Sequence, residues 1–86
     1  MELSAYISAN IKRLRKVKNL SQKQVAMSIE IAQAQYSVIE SGKTVPTLVT
    51  LDKIAKVFDV DLSQLVKKPT ISDDDINISI LEKVID

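Results

Sequence analysis

The chain has 86 residues, with twelve Lys and Arg against eleven Asp and Glu, and contains neither Cys nor His. That length holds one small domain, near the lower limit at which an apolar core suffices without disulfide or metal staples. Without thiol or imidazole, disulfides, thiolate or zinc sites and most nucleophile and proton-shuttle chemistries are excluded, and a reducing cytoplasm is the expected compartment.

The first predicted helix runs from about Ser4 to Lys18. Ile7, Ile11, Leu14 and Val17 recur at three-to-four spacing as its apolar face. Lys12, Arg13, Arg15, Lys16 and Lys18 gather towards its C-terminal end, where the macrodipole favours positive charge, and helix stabilisation is the simplest role for that cluster. MELSAYISANIKRLRK lacks the basic-then-apolar order of a signal peptide. No apolar run in the chain approaches the roughly 18 residues of a membrane span, so a soluble, unexported protein is expected.

Ser21 and Gln24 have the spacing of a capping box, which starts a second helix at Gln22. Val25, Ala26 and Ile29 form its apolar stripe. A third helix follows with Tyr36 and Ile39 inward, and Gly42 closes it as the residue best able to adopt a left-handed conformation. Two short helices joined by a tight corner, from Leu20 to Lys43, read as a helix-turn-helix. If Tyr36, Ile39 and Glu40 face inward, Gln33, Ala34, Ser37 and Val38 face outward, with Gln35 at the border. No Arg or Lys lies within this third helix.

Pro46 opens the next segment, with Thr47 or Thr50 as its cap and Leu48, Leu51, Ile54, Ala55 and Phe58 as the apolar face of a fourth helix. Asp61 is expected to cap a short fifth helix whose Leu62 and Leu65 return to the core. Lys67-Lys68-Pro69 breaks the pattern, which sets a helix-turn-helix domain at 1–68 and an extension at 69–86.

Charge divides at the same place. Residues 1–68 carry a balance of +5, and residues 69–86 carry Lys83 against Asp73, Asp74, Asp75, Glu82 and Asp86, a balance of −4. A cationic body can neutralise phosphates, whereas an acidic segment must point away from them. In the extension, Ser72 and Asp75 repeat the capping-box spacing, so Asp73-Asp74-Asp75 reads as a helix start rather than a metal site. Ile76, Ile80 and Val84 would then share one stripe, with Ile78, Leu81 and Ile85 on another. Ile76, Ile78 and Ile80 also alternate, which leaves a strand open. So many aliphatics exceed what a small domain can cover. A second copy is the economical partner, with Ile76, Ile80, Leu81 and Val84 as the dimerisation seam, against the plainer reading in which the segment folds back as a sixth helix.

SQKQVA from Ser21, IESGK ending at Lys43 and PTLVTLDKIAKVFDV from Pro46, in this order and spacing, resemble the lambda repressor/Cro-like, or xenobiotic-response-element type, helix-turn-helix regulators. The resemblance runs from about Ala5 to Val66, about three quarters of the chain. It implies an all-α, five-helix fold and sequence-specific binding of double-stranded DNA as a homodimer. Arg15 matches the family's first-helix arginine, whose partner is the glutamate found here as Glu40, an architectural ion pair. The positions matching Gln33, Ala34 and Val38 face base edges in the major groove. A glutamine amide can donate to N7 and accept from N6 of adenine, and Ala34 and Val38 can pack on thymine methyls. Gln22 and Lys23, at the start of the second helix, and Lys43, after the third, are the candidates for phosphate contact. Two positions depart from the family pattern. Glu30 stands where the corner usually carries glycine, and Ala32 stands where the third helix usually begins with Ser or Thr, each at about 1 kcal/mol.

The function these readings imply is a transcriptional regulator, with no catalysis, cofactor or metal. It would occupy a pseudo-palindromic operator as a dimer, two recognition helices lying about one DNA turn apart. Repression is the expected sign, since the chain has no room for a separate effector domain. A phage-type repressor, a restriction-modification controller or an antitoxin would fit. The competing reading is a protein-interaction module that keeps the helix-turn-helix fold.

Overall fold

The computed structural model describes residues 2–69. They form five helices: α1 (Glu2–Val17), α2 (Gln22–Ser28), α3 (Gln33–Ser41), α4 (Leu48–Phe58) and α5 (Ser63–Val66). No strand occurs among the described residues. The expected helix or strand of the extension, and the seam at Ile76, Ile80, Leu81 and Val84, lie outside them.

Ile7, Ile11 and Leu14 of α1 are buried, as their spacing requires. They meet Val25, Ala26 and Ile29 from the α2 segment, Tyr36 and Ile39 from α3, Leu51, Ile54, Ala55 and Phe58 from α4, and Leu65 from α5. Tyr36 and Phe58 are the largest fully buried side chains, and they fill the centre where a chain this poor in aromatics has little else of their size. Burying such a side chain contributes roughly 1.5–3 kcal/mol, so the core rests on about a dozen contributions of this kind against the cost of ordering the chain.

Helix ends follow one recurring device. Asn19, Glu30 and Asp59 are all left-handed, with φ of 58°, 62° and 57°. After each of them the next amide reaches back five residues: Leu20 N–H donates to Arg15 O, Ile31 N–H to Ala26 O, and Val60 N–H to Ala55 O. These are Schellman ends, and the residue after each left-handed position is apolar and packs against the core. Chain reversal and core closure are therefore the same event at three of the corners.

Val17 is corrected by that geometry. It is 67% exposed, because the turn at Asn19 brings Leu20 onto the core at the end of the α1 stripe. Leu48 is also corrected: it is 70% exposed at the first turn of α4, where the helix overhangs the domain and the buried stripe begins only at Leu51. Thr47 caps α4, its hydroxyl accepting from Thr50 N–H at 3.2 Å. Asp61 does not cap α5 with its side chain. Its backbone carbonyl accepts from Gln64 N–H at 2.9 Å, a tight first turn that leaves Leu62 as the boundary residue.

Asn10 holds the far end of the domain. Fully buried on α1, it donates through Nδ2 to Leu65 O at 3.0 Å and Lys67 O at 2.8 Å. Carbonyls at the end of a helix have no partner inside it, so Asn10 satisfies the end of α5 and fixes it against α1.

Candidate nucleic-acid interface

The corner that precedes α3 is set by Ser21 and by Glu30. Ser21 Oγ accepts from Gln24 N–H at 3.0 Å while Gln24 Oε1 accepts from Ser21 N–H at 2.7 Å, a complete capping box. Glu30 takes the left-handed conformation that glycine would adopt more easily, and Ala32, at the N-cap of α3, makes no side-chain cap. Both departures from the family pattern are thus absorbed by the chain rather than avoided, and the corner keeps its shape because Ile29 and Ile31 on either side of Glu30 are held by the core.

From that corner α3 splits cleanly by face. Tyr36, Ile39 and Glu40 are buried, whereas Gln33, Ala34, Gln35, Ser37 and Val38 are exposed. One helix therefore presents an amide, two hydroxyl- or amide-bearing neighbours and two small apolar groups to solvent, a profile suited to base edges and thymine methyls in a groove wide enough to admit a helix. Gln35 and Val38 also border a groove against the Thr44–Thr47 loop. Gly42 ends α3 at φ 81°, and a Cβ there would lie 3.3 Å from Ser8 Cβ, so two constraints select glycine at this position. Lys43 follows it, exposed in the loop, and Lys23 is exposed on α2. Gln22 is half-buried and lines a surface groove with Glu40.

What holds α3 at its angle is a charge pair. Arg15 Nη2 lies 2.8 Å from Glu40 Oε1, Arg15 Nε donates to Oε2 at 2.9 Å and Oε1 at 3.2 Å, and Nη1 donates to Leu20 O at 2.8 Å. The two side chains are 14% and 2% exposed. Burial pulls the Glu40 pKa upward, but the hydrogen bonds and charge of Arg15 outweigh it and hold Glu40 below the ordinary carboxylate value. Glu40 in turn raises Arg15. Burial and the neighbouring Glu40 push the Tyr36 phenol well above its usual range, and its hydroxyl is out of hydrogen-bonding geometry with every described residue. The pair ties α1, α3 and the α1–α2 turn together. It also cancels the one negative charge on α3.

Two polar anchors on α1 are not marked by the sequence pattern. Ser8 Oγ donates to Glu40 O at 2.6 Å, and Asn10 holds α5 as described. Both interrupt the apolar stripe of α1, and a polar residue between Ile7 and Ile11 was the available signal. Among the described residues no three His, Cys, Asp or Glu converge on a point, and no helix is long and apolar enough to cross a membrane. The Asp73-Asp74-Asp75 run lies outside the described residues.

The family model described as Helix-turn-helix matches residues 11–65, from the middle of α1 into α5. The chain belongs to the Cro/C1-like helix-turn-helix family of DNA-binding transcriptional regulators. It is similar to the cryptic phage CTXphi transcriptional repressor RstR of Vibrio cholerae, 35% identical over 71 residues, which are 83% of this chain and 60% of that one. It is also similar to the control protein C.MunI of a Mycoplasma species, 43% identical over 56 residues, which are 64% of this chain and 76% of that one. The chain thus spans less than two thirds of the length of RstR. Among solved structures, the hypothetical transcription factor NHTF from Neisseria superimposes with a TM-score of 0.74 at 25% identity, over 78% of this chain and 77% of that one. α2 and α3, joined by the tight corner at Glu30, are therefore the two helices of the helix-turn-helix.

Proposed function

We propose that this helix-turn-helix protein represses transcription by occupying a double-stranded DNA operator through α3, without catalysis. The observation that carries the reading is the two-faced α3: Gln33, Ala34, Gln35, Ser37 and Val38 are free for DNA because Tyr36, Ile39 and the Arg15–Glu40 pair take the opposite side. Gln33 reads adenine, Ala34 and Val38 pack on thymine methyls, and Ser37 and Gln35 make the flanking polar contacts. Lys23, Lys43 and Gln22 lie against phosphates and position the domain without reading sequence. With no Arg or Lys in α3, the bidentate guanine contact is missing from that helix, and affinity leans on the backbone. Residues 69–86 pair two copies through Ile76, Ile80, Leu81 and Val84, which sets two half-sites roughly 34 Å apart on a pseudo-palindromic operator. The similarity to a phage repressor supports the sign, and the cytoplasm is the compartment in which such a chain meets DNA.

Titration of duplex DNA over a range of salt tests the reading, followed by footprinting on the DNA that flanks the protein's own gene. The expected result is affinity that falls steeply with salt and a protected site of two related halves. No binding to any duplex, or binding indifferent to salt, would refute it in favour of a protein-interaction module.

A further inference from the structure

We infer that Lys12 and Lys16 of α1 make a second contact with the DNA backbone, on the opposite side of α3 from the Lys43 loop. The inference rests on the proposed DNA-binding function and concerns residues whose simplest role is to stabilise α1. The two lysines stand one helical turn apart on one face. They line a groove whose other wall is Ser37 and Ser41 of α3, with Gln22 at one end and the Arg15–Glu40 pair beneath. Because Arg15 and Glu40 neutralise each other, the groove carries the charge of the two ammonium groups. Both lysines are exposed, and among the described residues neither pairs with a carboxylate.

Ser37 locates the groove relative to the bases. It belongs both to this groove and to the outward face of α3, on the flank next to Gln33, whereas Gln35 and Val38 on the other flank border the Thr44–Thr47 loop that follows Lys43. A helix lying in the major groove has a phosphate backbone on each side. One backbone then passes the Lys43 loop and the other passes Lys12 and Lys16. A flexible ammonium is a point charge that suits a phosphodiester without demanding a fixed approach, and the hydroxyls of Ser37 and Ser41 offer polar company at the same edge.

The test is the salt dependence of binding to a duplex of random sequence, for wild type, Lys12→Gln/Lys16→Gln, and Lys53→Gln/Lys56→Gln. The last pair removes the same charge from α4, beside Ser28 and Glu30 rather than α3. Gln keeps helix propensity, so both variants should stay folded, with only the small fall in unfolding midpoint that follows from losing helix-end charge in α1 or the exposed Lys56–Asp52 pair in α4. The α1 double variant should lower the slope of log affinity against log salt by about 1.8, so that the advantage of wild type shrinks about twelvefold between roughly 50 and 200 mM salt. The α4 double variant should keep the slope near that of wild type. An unchanged slope in the α1 variant, or an equal fall in both, would overturn the contact while leaving DNA binding intact. Wild type that binds no duplex would overturn the inference together with the proposed function.

Discussion

Replacing Glu40 by glutamine keeps the length of the side chain and removes its charge, leaving Arg15 with the Leu20 carbonyl but without its carboxylate. Breaking one partner of a fully buried pair costs about 3–5 kcal/mol. Arg15 retains 14% of its side-chain exposure, which eases the loss, so a cost of about 2–3 kcal/mol is expected. A domain of this size has a total stability of the order of 3–10 kcal/mol. With a slope near 1 kcal/mol per M, urea unfolding followed by circular dichroism should show a midpoint lowered by about 2–3 M and an unchanged slope. Acid titration supplies an independent readout. The Glu40 pKa is depressed in the folded state, so its contribution is present above the ordinary glutamate value of about 4.3 and is lost as pH falls through the folded value. Wild type should lose that increment on acidification, and Glu40→Gln should not. A variant within about 0.5 kcal/mol of wild type, with the same acid limb, would refute the architectural role of the pair.

Glu30→Gly should stabilise the domain by roughly 0.5–1 kcal/mol by relieving a left-handed glutamate, and Gly42→Ala should destabilise it by about 1–2 kcal/mol through both backbone strain and the approach of Ser8; thermal unfolding of the two variants reads both signs. Asn10→Leu should cost about 1–3 kcal/mol, seen in the same assay, because two carbonyls at the end of α5 lose their donor; no loss would mean that water replaces the amide without penalty. Deleting residues 70–86 should give a folded helical monomer that binds a half-site weakly, since two linked half-sites act at an effective concentration that one domain lacks. Sedimentation decides this, and a truncated chain that stays dimeric would move the interface into the five-helix body.

The parts of the fold that were legible in the sequence are those written in local chemistry. Ser21 and Gln24 announce the start of α2, Gly42 the end of α3, and the spacing of Tyr36, Ile39 and Glu40 shows which face of α3 is left exposed. What escaped depends on neighbours distant in the chain. Val17 and Leu48 continue an apolar period, yet periodicity cannot tell where a helix runs past the body that buries it. Asn19 and Asp59 take left-handed conformations without being glycine, because the following Leu20 and Val60 gain burial that offsets the strain. Asn10 and Ser8 look like interruptions of the α1 stripe until α5 and α3 arrive against them. Lys12 and Lys16 likewise read as helix-end charge until Ser37 and Ser41 are seen across the groove. Which residues could face DNA was therefore readable, and what braces them was readable only where the family pattern named Arg15 and Glu40.

The central claim is that α3 reads sequence while charges around it supply affinity. Binding of Gln33→Ala and Lys43→Ala to a duplex selected by wild type from a random pool, and to an unselected duplex, tests it most directly. Gln33→Ala should weaken binding to the selected duplex by about 1–3 kcal/mol and leave the unselected one nearly unchanged, whereas Lys43→Ala should weaken both alike and reduce the salt slope by about one ion. Equal losses on both duplexes for Gln33→Ala, with a changed base preference for Lys43→Ala, would contradict the account.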